Sequence, residues 1–196
     1  MQVSWLLSPE TLGINPRKLL GKTQSTCLPA WYRLQPVWYM ASSATLGAVG
    51  ILLIVLAPWA RVRVGSDWGW TSFGVSWLIQ GAVSWLADVS HLGHTSMWHV
   101  VDNRCACVNL VWTTTYGFAW TFGASHFGFA LRSSNMLLRL MLRALGLGFA
   151  FAALHGKMLS GRAQRGRDAH GFFKYHAQWH YSLSLGLCTP LLDGLL

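Results

Sequence analysis

The 196-residue chain is 53% apolar and only 11% charged, against about 25% charged residues in a soluble domain. Lys and Arg outnumber Asp and Glu by 15 to 6, the net charge is +9, and twelve residues are Trp. These values exclude a disordered chain, a coiled coil and a disulfide-rich secreted scaffold, and they point away from an ordinary soluble enzyme.

The basic residues lie between long apolar runs instead of lining one polar face, so a membrane is expected and a nucleic-acid partner is not. Residues 1–36 read as a basic N-terminal tail with Arg17, Lys18, Lys22 and Arg33. Pro16, Pro29 and Pro36 oppose a long helix there. No charge precedes the short apolar stretch Val3–Leu7, so no signal peptide is expected. Residues 37–196 then read as one transmembrane bundle. Charge-free runs cover Leu34–Ala60, Trp68–Ala87, Cys105–Leu131, Ala144–Gly156 and Tyr175–Leu192. About 20 apolar residues cross a bilayer. The pattern therefore predicts an all-α membrane protein of about five transmembrane helices, near 38–59, 70–94, 102–125, 135–156 and 173–193. The fourth carries Arg139 and Arg143, four apart on one face, where they can reach headgroups or a polar cavity. Cys27, Cys105, Cys107 and Cys188 have neither disulfide nor zinc-finger spacing.

Alternating spans put the tail, the 88–104 connection and the 157–174 connection on one side. That side holds Arg17, Lys18, Lys22, Arg33, Arg104, Lys157, Arg162, Arg165, Arg167 and Lys174, while the other holds Arg61, Arg63 and Arg132. The positive-inside rule predicts a multi-pass integral membrane protein with its N-terminus cytoplasmic.

His91, His94 and His99 cluster at the end of the second span, and His170, His176 and His180 at the start of the fifth. Both clusters fall on the cytoplasmic side of this topology. His176 and His180 are i, i+4 on a helix and project from one face, and imidazoles are good zinc ligands. A catalytic zinc takes three protein ligands and keeps one position open. His94, His176 and His180 supply three, with His91 or His99 able to replace His94. Ser90 shares a face with His94 and can hydrogen-bond a water or a substrate oxygen. Asp102, opening the third span, can take a proton from water and also cap its helix. Trp98 and Trp179 fall near the expected metal and are assigned to substrate contact. Most of the twelve Trp read as interfacial belt residues.

Ser90-x-x-x-His94 ending one span, Asp102 opening the next and His176-Ala-Gln-Trp-His180 in the last resemble the CREST superfamily of membrane hydrolases. That superfamily includes the alkaline ceramidases, the adiponectin/progestin receptors and the GPI-remodelling lipid hydrolases. The segment His176–His180 is similar to the HAxWH-type sequence of the ceramidase and GPI-remodelling branches. The chain shows five spans where these families have seven, and its His94-to-Asp102 interval is shorter than theirs. The resemblance implies zinc held by His94, His176 and His180, with Ser90 and Asp102 beside the metal-bound water. It implies a ceramidase-like hydrolase of a membrane lipid amide or ester, in which activated water attacks the carbonyl. Other readings are a receptor-like or truncated membrane protein of the same fold without activity, and a His-ligated haem or di-iron membrane protein.

Overall fold

A computed structural model of the chain describes residues 35–59, 68–92, 96–122, 136–166 and 168–195. Among these residues the protein is all helical and contains no strand. Helix α1 is Val37–Leu56, followed by a 3₁₀ turn at Ala57–Trp59. Helix α2 is Trp68–Ser84 and runs on as a π-helical segment, Trp85–Ser90. Helices α3, α4 and α5 are Met97–Phe122, Met136–Arg165 and Ala169–Leu195. Each expected span thus falls on a helix. The fourth runs past residue 156 to Arg165, because its last turns are polar but still good helix formers. The basic tail lies outside the described residues, apart from its last two positions.

Side-chain contacts give the order of packing. Ser76 meets Asn109 and Gln80 meets Asp102, so α2 and α3 run antiparallel. Gln178 reaches the Ala152 carbonyl and Arg139 reaches Asp193, so α4 and α5 also run antiparallel. Tyr181 donates to the Trp38 carbonyl and Thr45 meets Ser184, which makes α1 and α5 parallel neighbours. The end of α2 and the starts of α1 and α5 therefore share one end of the bundle.

Two close approaches fix the spacing. A methyl added to Gly81 would collide with the Gly47 backbone, and one on Gly50 with the Leu78 backbone. Glycines facing each other in this way let two helices pack backbone to backbone. On the other side, a Cβ on Gly156 would lie 2.9 Å from the Trp179 nitrogen, which sets the contact of α4 with α5.

Two apolar clusters hold the helices together. One joins Leu46, Val49 and Leu53 of α1 to Trp70, Phe73 and Trp77 of α2 and Leu187 and Leu191 of α5. The other joins Tyr39, Leu92, Ala163, Ala169, Phe172, Phe173 and Ala177. Between them on each helix comes a polar layer: Ser42 and Ser43 on α1, Gln80, Ser84 and Asp88 on α2, His176 and His180 on α5, all buried.

The outer surface has the opposite character. On α4, Leu137 is 74% and Phe151 72% exposed, whereas Arg139 is 9% and Arg143 6% exposed. The two arginines turn inward to Asp193 of α5, Arg139 at 3.0 Å and Arg143 at 3.9 Å. They reach a carboxylate in the bundle rather than headgroups. Two of the described helices, Val37–Leu56 and Leu137–Arg165, are long and apolar enough to cross a membrane.

Candidate metal centre

The first turns of α5 place His176 and His180 on its inward face, one above the other. Their rings are 4.6 Å apart and nearly perpendicular. The group opposite them is the carboxylate of Asp88, in the π-helical segment that ends α2. His176 Nε2 is 3.0 Å and His180 Nε2 3.8 Å from Asp88 Oδ2. The same oxygen accepts a 3.0 Å hydrogen bond from Ser84, one turn earlier. Apolar rings close the site from one side: Tyr39, Phe172 and Phe173 pack on each other, and Tyr39 and Phe172 also on His176.

The donor atoms of Asp88, His176 and His180 all lie within 4.8 Å of one another, and the group could hold a metal ion. Ligand atoms around a tetrahedral zinc, with bonds of 2.0–2.1 Å, lie about 3.3 Å apart. The observed 3.0 and 3.8 Å bracket that spacing. Two imidazoles and one carboxylate are also within the ligand chemistry of a metal site with an open position, so the group could hold a metal ion.

A small pocket of about 10 Å³ with mixed walls opens beside the imidazoles, where Gln80, Asp102, Lys157, His176 and His180 meet apolar side chains such as Trp77 and Trp179. That is room for about one water. Asp102 Oδ1 accepts from Gln80 Nε2 at 2.7 Å, and Asn109 Nδ2 approaches Gln80 Oε1 at 3.4 Å. These amides hold Asp102 in place at the pocket wall. The Lys157 ammonium stands 5.4 Å above the Trp179 ring. Leu110, Trp179 and Leu183 line both this pocket and an apolar cavity of about 360 Å³. The larger cavity runs along α4 and α5 from Leu154 and Trp179 to Gly146 and Pro190.

The residues expected from sequence divide as follows. His176, His180, Asp102 and Trp179 come together around the pocket. His94 lies outside the described residues. His91 is half-buried at the end of α2, with Nδ1 2.8 Å from the Leu86 carbonyl of its own helix, and is not in the three-residue group. Among the described residues the third donor is Asp88, a carboxylate, in place of a third His. Ser90 is exposed at the end of the π-helical segment; the serine beside the group is Ser84. Ser84 ends the regular part of α2 on its inward face, and the widened turn that follows keeps Asp88 inside and leaves Ser90 outside. Asp102 does not open its helix: α3 starts at Met97, where Ser96 Oγ accepts the Trp98 N–H, and Asp102 lies in the second turn. Trp98 is half-buried in the first turn of α3 and lines neither cavity.

Ser84-x-x-x-Asp88 has the same i, i+4 spacing as Ser90-x-x-x-His94 and stands six residues earlier. An acid within a predicted span is itself a signal for a site. No protein-family model, curated protein or solved structure matches the chain.

Proposed function

We propose that the chain is a multi-pass integral membrane protein that binds zinc through Asp88, His176 and His180 and hydrolyses the amide or ester bond of a membrane lipid there. The observation that carries this reading is the continuity of the site. Two members of the buried Asp/His/His group, His176 and His180, line a water-sized pocket that also holds Asp102 and Gln80, and this pocket shares Leu110, Trp179 and Leu183 with a long apolar cavity. An amphiphilic substrate fits that sequence of surfaces, its carbonyl beside the histidines and its acyl chain in the apolar cavity. Zinc, when bound, supplies a Lewis acid and lowers the pKa of a water ligand to about 7.

The residues of the chain have separate tasks. Asp88, His176 and His180 hold the ion, and Ser84 orients the Asp88 carboxylate. Asp102, held by Gln80, would take a proton at its carboxylate and return it to the leaving amine or alcohol. Trp179 and Lys157 line the mouth, where a headgroup would sit. The inside-out distribution of side chains supports a membrane position for all five helices, with apolar residues outside and Asp, His, Arg, Ser and Thr inside. The N-terminal side, with ten basic residues, faces the cytoplasm. A haem held between two imidazoles is less well supported, since the group facing His180 is a carboxylate.

Metal analysis of detergent-purified protein, with an absorption spectrum and an assay on a long-chain ceramide and a long-chain ester, tests the proposal. One zinc per chain with amide or ester hydrolysis is the expected result. A Soret band, iron, or zinc without hydrolysis of either substrate overturns the hydrolase reading.

A further inference from the structure

We propose that Ser42 is a positioning residue for the metal group, fixing His180 as the tautomer whose Nε2 lone pair faces Asp88. The inference rests on the reading of Asp88, His176 and His180 as metal ligands. Ser42 lies on α1, which contributes no member of that group, and it is completely buried. Its hydroxyl has one proton to give. Two acceptors compete for it: the Tyr39 carbonyl at 2.6 Å and His180 Nδ1 at 3.2 Å. The shorter contact takes the proton. The Ser42 oxygen is then only an acceptor, and His180 Nδ1 must carry the hydrogen that meets it.

A neutral imidazole protonated at Nδ1 has its lone pair at Nε2. That nitrogen is 3.8 Å from Asp88 Oδ2, beyond hydrogen-bond reach. A lone pair and a carboxylate oxygen thus confront each other across a gap suited to a cation. Metal-ligating histidines are commonly oriented in this way through their other nitrogen, and here the orienting group is a hydroxyl. The next turn secures it. Thr45 Oγ1 donates to the Ser42 carbonyl at 2.7 Å and meets Ser184 Oγ at 3.0 Å, which ties α1 to α5 just beyond His180. The sequence offers no hint of this role, because Ser42 and His180 are 138 residues apart.

The test has two arms on the full-length protein in detergent. The first is the ¹⁵N spectrum of metal-free wild type with labelled histidine, His180 being assigned from the signal lost in His180→Gln. The expected spectrum shows His180 protonated at Nδ1 and bare at Nε2; protonation at Nε2 alone overturns the proposal whether or not any metal binds. The second arm is Zn²⁺ affinity by chelator competition in wild type, Ser42→Ala and Ser42→Thr. Ser42→Ala should weaken zinc binding about 10- to 100-fold and raise the Nε2-protonated fraction of His180, and Ser42→Thr should recover both. A folded Ser42→Ala with wild-type zinc affinity and an unchanged His180 spectrum overturns the proposal. If wild type binds no Zn²⁺, the metal reading fails, and the first arm still decides the role of Ser42.

Discussion

Asp88 accepts hydrogen bonds from two elements at one oxygen, Ser84 from its own helix and His176 from α5. Asp88→Asn keeps the size but removes the charge and turns one acceptor into a donor. It should lose most bound zinc by elemental analysis, whereas Asp102→Asn should keep zinc and lose hydrolysis by about 10²- to 10⁴-fold. Loss of zinc in Asp102→Asn would make Asp102 a ligand. Without metal, His176 Nε2 lies at hydrogen-bond distance from Asp88, and a proton there must move to Nδ1 or leave before the nitrogen can bind an ion. Zinc affinity, measured by chelator competition, should therefore fall as pH is lowered and protons compete for the ligands. An affinity that does not change with pH would count against imidazole and carboxylate ligands. The i, i+4 histidines were legible in the sequence because helical spacing alone makes them converge. Asp88 was legible only as an acid inside the predicted span 70–94, a signal for a site that no spacing ties to the two histidines.

At the scale of elements, the five apolar runs predicted five helices, and helices occur at all five places. The π-helical end of α2 was not legible. A run of single residues does not reveal that one turn takes an extra residue, in the segment where Asp88 is buried and Ser90 exposed. The contact of α1 with α2 depends on glycine at positions 50, 74 and 81. Gly81→Leu should force these helices apart and cost about 1–3 kcal/mol or more, lowering the temperature of aggregation in detergent. A leucine at Gly117, where a Cβ meets nothing within 4 Å, is the control and should leave that temperature nearly unchanged. Equal effects at the two positions would count against a close α1–α2 contact.

Among the described residues, large apolar side chains cover much of the outside, and between the helices buried polar and charged groups accompany the two apolar clusters. Arg139 and Arg143 interrupt the fourth expected span, four apart on one face. The residue that accommodates them, Asp193, is fifty positions away from Arg143, and no local pattern connects the two. Asp193→Ala removes the carboxylate from two buried guanidinium groups and should destabilise the bundle by about 3–5 kcal/mol. The combined replacement Arg139→Met, Arg143→Met, Asp193→Leu should recover most of that loss. Thermal unfolding in detergent checks both, and failure of the triple replacement to recover would give the cluster a role beyond holding α4 to α5.

Asp88 is made long before its partners. On the proposed membrane topology, α2 would reach the lipid some ninety residues ahead of His176 and His180, and the growing chain would carry an acid in an apolar helix with Ser84 beside it. Such a helix would be poorly retained in lipid until α5 arrives. The proposed metal group would then be completed only when α5 inserts. A chain halted before residue 169 should be cleared faster in cells than the full-length protein, and Asp88→Leu should lengthen the lifetime of the halted chain while abolishing zinc binding in the full one. Pulse-chase labelling of the four proteins measures this directly; equal lifetimes of the two halted chains would show that the lone carboxylate is no burden to the nascent bundle.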